Sequence, residues 1–251
     1  MIDTHIHGDA RSSEDFESMK LSGIDTAITC GFYPYKLFNE TVLLNQLEKI
    51  LNYDTQRAER YGLDLKVALG IHPTNSYVKP ELIYENLYKW IENEDIIAIG
   101  EIGLENLTED EIKVFKKQLE IGDETKTKVI VHTPRKNKSK VLEEINKIIP
   151  NHIDEKLVVI DHINKETVEN VIDKDYTIGL TVQPQKMEKE ETIAILDEYG
   201  FDKFLLNSDI SNMPSNPLSV PQTIEELEKQ GFENKKIEKV AFKNAQKFFK
   251  I

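Results

Sequence analysis

Short runs of aliphatic and β-branched residues recur along the chain, separated by stretches in which apolar positions repeat with a helical period. The runs fall at 1–7, 25–31, 65–71, 96–102, 128–132, 157–162, 176–182 and 203–208. Their apolar positions are near-continuous rather than strictly alternating, the pattern of parallel strands covered on both faces. Helical stretches lie at 40–61, 81–93, 108–126, 138–149, 165–173 and 188–199, with 235–250 closing the series. Thr108 and Glu111 stand in capping-box spacing at the head of the third. Strand–helix alternation of this kind over 251 residues predicts an α/β fold: a single-domain (β/α)8 TIM barrel spanning 1–251, with an open doubly wound sheet as the second topology.

Charge and cysteine content narrow the setting. The 32 basic residues are outnumbered by 45 acidic ones, giving a net charge of −13. Such a field repels polyanions and disfavours coating of nucleic acid or anionic membranes. A local phosphate site stays compatible with it, because metal ions reverse the sign of a pocket. Cys30 is the one cysteine, which excludes an intramolecular disulfide. No signal-peptide pattern or membrane-spanning apolar run is visible, so the expectation is a cytoplasmic protein with no membrane partner. Oligomeric state is not legible.

In barrels of this type the chemistry sits at the C-terminal ends of the strands. The opening "MIDTHIH" delivers His5 and His7, which alternation puts on one side of a strand with Ile2 and Ile6 on the other. "GIHP" ends the third strand with His72, "GEIGL" the fourth with Glu101 and "VHTP" the fifth with His132. "DHIN" ends the sixth with His162 and "NSDIS" the eighth with Asp209, whereas His152 lies in a connection. Imidazoles and carboxylates converging on one mouth are ligand chemistry for Zn²⁺, Mn²⁺ or similar ions.

These motifs, together with the C-terminal "KNAQKFF", resemble the TatD family of metal-dependent hydrolases over essentially the whole chain. The resemblance implies two divalent metal ions (Zn, Mn or Mg). His5, His7 and Asp209 would hold one, His132 and His162 the other, and Glu101 would bridge them. It implies a water shared between ions about 3.5–4 Å apart that attacks a phosphoester, with Asp209 as the group accepting its proton. Asp209 and Glu101 are thus the expected catalytic residues. Thr74 and the run Asn207-Ser208-Asp209 depart from the family pattern, so positions facing the substrate have changed while the ligand set is kept.

Other residues invite weaker assignments. Arg135, followed by Lys136, Lys138 and Lys140, offers a bidentate fork for a substrate phosphate. His72 is expected to hydrogen-bond substrate or water, or else to be an ordinary residue of the turn before Pro73. Tyr33 and Tyr35 either stack on a base or pack in their loop. Gln183 and Gln185 could line the pocket, Cys30 reads as a buried hydrophobe, and Asp3 either supports the histidines or bonds to backbone. The expected substrate is a phosphoester, in DNA or a nucleotide, or another small hydrolysable molecule, with a short nucleic-acid end as a candidate partner. An amidohydrolase or lactonase, and a metal-binding protein without turnover, are the rival readings.

Overall fold

In the computed structural model, which describes residues 1–184 and 186–251, the apolar runs become eight parallel strands, each paired with the next in chain order. They are β1 (Ile2–Ile6), β2 (Thr26–Cys30), β3 (Asp64–Leu69), β4 (Ala98–Gly103), β5 (Lys128–His132), β6 (Val158–Ile160), β7 (Thr177–Thr181) and β8 (Phe204–Asn207). The ring closes where the first and last strands meet. Asp209 N donates to His5 O at 2.9 Å, His7 N to Ile210 O at 2.8 Å and Thr4 Oγ1 to Leu206 O at 3.0 Å. The fold is therefore the (β/α)8 barrel and not the open sheet.

Among the described residues ten α-helices surround it: α1 (Ser13–Leu21), α2 (Glu40–Lys49), α3 (Thr55–Glu59), α4 (Glu81–Glu92), α5 (Glu109–Thr125), α6 (Lys138–Ile148), α7 (Lys189–Tyr199), α8 (Ser219–Lys229), α9 (Asn234–Glu238) and α10 (Asn244–Phe249). One π turn, Ile50–Asp54, joins α2 to α3 and another, Lys239–Lys243, joins α9 to α10, so 40–61 and 235–250 are each nearly continuous helix. The stretch 165–173 is not the expected helix and forms only a 3-10 turn at Val168–Asn170. There Thr167 Oγ1 bonds the Asn164 side chain and backbone, a local alternative that competes with helical hydrogen bonding. Two helices, α1 and α8, have no counterpart among the expected stretches. The first buries only Phe16 and Met19, and the second carries Pro221 in its first turn, where a missing N–H costs nothing.

Two layers of apolar side chains position the site. Outward-facing strand residues such as Val129, Val131, Phe204 and Leu206 pack under the helices. Inside, Ile2, Ile28, Ala68, Ala98, Ile130, Val159 and Leu205 meet Phe248 and Phe249 of α10, which plug the barrel floor. Positions two residues above that floor, including His132, Asp161 and Asn207, are aimed into the mouth by the period of the strand. Ile2 belongs to this interior layer, contrary to the simple alternation of β1. The register shifts between Asp3 and Ile6, and such a bulge changes which face the later residues take.

Candidate metal centre

A second bulge creates the centre of the site. The β4–β5 register shifts between Ile99 and Ile102, and both isoleucines pack outward. Strict alternation would send Glu101 outward with Ile99; the extra residue turns it into the barrel. Its carboxylate then divides between two groups of histidines. Oε2 lies 3.5 Å from His5 Nε2, 3.6 Å from His7 Nε2 and 3.8 Å from His72 Nε2. Oε1 lies 2.8 Å from both His132 Nδ1 and His162 Nε2. Asp209 approaches the first group, its Oδ1 3.2 Å from His7 Nε2.

Each ring is aimed by a partner on its far nitrogen. His5 Nδ1 meets Asp161 Oδ2 at 2.6 Å, His7 Nδ1 donates to Cys30 O at 3.1 Å and His162 Nδ1 meets Thr181 Oγ1 at 2.7 Å. His72 Nδ1 accepts from Thr74 N at 3.2 Å and meets Thr74 Oγ1 at 2.8 Å, so the residue that departs from the family pattern orients its neighbour. Asp161 is itself fixed, its Oδ1 accepting from Asn207 Nδ2 and from His162 N, both at 2.8 Å. His5 and His7, whose Nδ1 atoms face a carboxylate and a carbonyl oxygen, therefore present Nε2 as a lone pair, whereas His72, whose Nδ1 accepts, carries its proton on Nε2.

The donor set fits divalent ions. His5 Nε2 is fully buried and has no hydrogen-bond partner, an expensive arrangement unless something binds it. Ligands at roughly 2.1 Å from an ion, at octahedral or tetrahedral angles, stand about 3.0–3.4 Å apart, which the separations around Glu101 bracket. His5, His7 and Asp209 form one cluster within ligating distance, as do His5, Glu101 and His162, and His72, Glu101 and His132. Burial lowers His7 to about 4 and His162 to about 3, keeping both neutral. Burial opposes the charge on Glu101, but His5 and His132 hold its carboxyl well below the usual range.

Sequence reasoning missed several neighbours. Glu105 bonds His132 Nε2 at 2.7 Å, its loop being held by Glu111 Oε2, which accepts from Glu105 N and Leu107 N. Lys186 pairs with Asp209 Oδ2. The signal for Asp161 was available, since it follows interior Val159 by two; Lys186 and Glu105 lie in loops where no period applies. Asp3 takes the backbone role, accepting from Ser208 N at 3.1 Å and Ser208 Oγ at 2.5 Å, and burial raises it to about 6.

The remaining expected residues distribute as follows. Arg135 and Lys136 line a cleft of about 630 Å³ with His72, Glu101 and Asp209. Tyr33 and Tyr35 lie edge to face, 6.0 Å apart, in a shallow groove with Thr74. Lys140 is exposed, Cys30 is fully buried, and His152 faces Glu120 at 3.3 Å, away from the cluster. Gln183 donates to Ser208 O and Asp209 O, bracing the strand-eight end; Gln185 lies outside the described residues.

Comparison with known proteins finds relatives over the whole chain. The family model described as TatD related DNase matches residues 2–250. An uncharacterized metal-dependent hydrolase of Methanocaldococcus jannaschii is 41% identical over 100% of both chains. The crystal structure of a TatD-like protein from Archaeoglobus fulgidus superposes with a TM-score of 0.83 at 30% identity, covering 100% of each chain. The phosphotriesterase homology protein of Escherichia coli, complexed with phosphate in its active site, shares the fold with a TM-score of 0.71 at 15% identity, over 99% of this chain and 98% of that one.

Proposed function

The chain belongs to the TatD-related family of metal-dependent hydrolases, and on that footing we propose that it hydrolyses phosphoesters at a binuclear metal centre. The observation that carries this reading is the divided Glu101 carboxylate, one oxygen toward His5 and His7 and the other toward His132 and His162. His5, His7, Glu101 and Asp209 would hold the first ion, and Glu101, His132 and His162 the second. When bound, such ions supply Lewis-acid chemistry, activating water and offsetting the charge of a phosphoryl group.

The chain's own groups do the rest. Asp209, with Oδ1 turned to His7 and Oδ2 paired with Lys186, is the carboxylate that accepts the proton of the attacking water. Arg135 and Lys136, which line the same cleft, hold the phosphoryl oxygens and favour an anionic ester over a neutral lactone or amide. His72, fixed by Thr74, presents Nε2 to the same space as a hydrogen-bonding group for substrate. A net charge of −13 favours nucleotides or short single-stranded ends over long duplexes.

The test is a panel of phosphodiester, phosphomonoester, lactone and amide substrates with Mn²⁺, Zn²⁺ or Mg²⁺, run beside Asp209→Asn. Phosphoester turnover that falls on the order of 10²–10⁴-fold in the variant is expected for loss of a general base. Turnover confined to lactones or amides, or retained in full by Asp209→Asn, would overturn the reading.

A further inference from the structure

Behind His132 and His162 lies a second, more enclosed cavity of about 150 Å³. It shares those two histidines, Arg135 and Lys186 with the large cleft, and adds Lys138 and Asn164. We propose that this pocket binds a phosphate monoester group that does not react, so that the substrate carries a second phosphate close to the bond being cleaved.

Composition of the wall carries the inference. It contains three cationic side chains, of which Lys186 is paired with Asp209 beyond the wall while Arg135 and Lys138 meet no carboxylate among the wall residues, in a chain where acids outnumber bases 45 to 32. Among the described residues Lys138 Nζ is held by neutral acceptors only, firmly by Thr133 Oγ1 at 2.8 Å and His162 O at 2.7 Å and weakly by Thr133 O at 3.4 Å, which leaves its charge unpaired and one N–H loosely held. Asn164 Oδ1 is occupied by Thr167 Oγ1 at 2.8 Å, which leaves its amide NH₂ as the group to offer. The wall is therefore rich in donors and cations, the complement of a multiply charged acceptor. The first turn of α6 begins at Lys138 and adds its positive end beside the same wall.

Size and layout choose the anion. The volume corresponds to roughly five waters, enough for a phosphoryl group and too little for a nucleoside. Donors arrive from three separate segments, the β5–α6 loop, the turn after β6 and the β7–α7 loop, and so surround a tetrahedral dianion better than a planar carboxylate. Because the pocket and the cleft share a wall, a group seated here lies within a few bonds of Glu101. That the occupant belongs to the substrate rests on the phosphoester reading above; phosphate binding itself does not.

Inorganic phosphate is the first probe, titrated calorimetrically into the full-length, Mn²⁺-loaded protein. Binding that weakens at least tenfold in Lys138→Met, whose side chain lines this pocket and not the cleft, is the expected result, with Arg135→Gln on an exposed side chain of the shared wall weakening it as well. No binding by the wild type, or full affinity in both variants, would overturn the proposal, the latter by placing the anion on the metal ions. A 5′-phosphorylated dinucleotide and a sugar monophosphate then compete with phosphate, and the one that displaces it identifies the source. In turnover, a 5′-phosphorylated oligonucleotide is expected to show a KM at least tenfold below its 5′-hydroxyl counterpart, with Lys138→Met erasing the difference. Equal KM values in the wild type would refute the substrate half even where phosphate binds.

Discussion

Replacing Asp161 by Asn changes a single atom type and is expected to damage the metal centre out of proportion to that change. In the wild type Asp161 Oδ2 accepts from His5 Nδ1 at 2.6 Å while Oδ1 accepts from Asn207 Nδ2 and His162 N. The residue is fully buried, and although burial opposes its charge, His162 and His5 hold its carboxyl well below the ordinary range. An amide can satisfy only part of this. With its oxygen toward His5, its NH₂ faces two donors; with its NH₂ toward His5, the ring must carry its proton on Nε2, the atom that faces Glu101. The first keeps Nε2 bare only by setting the amide against the Asn207 and His162 donors, and the second puts the proton on the ligating atom. Loss of such an outer partner typically weakens metal affinity 10–100-fold, or about 1.4–2.8 kcal/mol. Titration of metal-free protein against a competing chelator reads this directly. Two ions bound with wild-type affinity by Asp161→Asn would show that the His5–Asp161 contact does not set the tautomer.

Further consequences are open to simple assays. Ser208→Ala deprives buried Asp3 of its 2.5 Å donor at a cost of about 1–3 kcal/mol, expected as a melting temperature lower by roughly 2–12 °C; an unchanged value would mean that Asp3 is satisfied without it. Gly179 sits against the Asp161 carboxyl with no room for a Cβ, so Gly179→Ala is expected to lower metal affinity and melting temperature together, and a variant with both intact would contradict that packing. Metal uptake is expected to release protons and to weaken as pH falls, because every donor must be unprotonated. Burial works against the charge on His132, yet Glu101 and Glu105 hold its pKa above the ordinary value, so its proton is one the ion displaces; calorimetry in buffers of different ionisation enthalpy measures the release, and identical heats would exclude it.

The barrel and its mouth were legible because a buried strand repeats every two residues and the histidines fall where those repeats stop. What escaped sequence reasoning did so for identifiable reasons. The inward turn of Glu101 depends on a bulge between Ile99 and Ile102, and a bulge has no signature in a string of Ile, Gly and Glu. Asp161 falls within the 157–162 run and draws no assignment from sequence, although Val159, two residues before it, points to the interior. Lys186 and Glu105 reach the site from loops, where position follows from tertiary contacts alone. The 165–173 stretch has helical spacing, but Thr167 and Asn164 supply a competing local hydrogen bond, and Thr167, Val168, Val171 and Ile172 are all β-branched.

The most direct measurement is metal stoichiometry, by elemental analysis of the wild type, His7→Ala, His132→Ala and Glu101→Gln after equilibration with Mn²⁺ or Zn²⁺. A carboxylate shared between two ions requires about two per wild-type chain, about one in each histidine variant and a deficit at both sites in Glu101→Gln. Saturation of the wild type at a single ion, or two ions kept by Glu101→Gln, would contradict the bridging role on which the proposed chemistry depends.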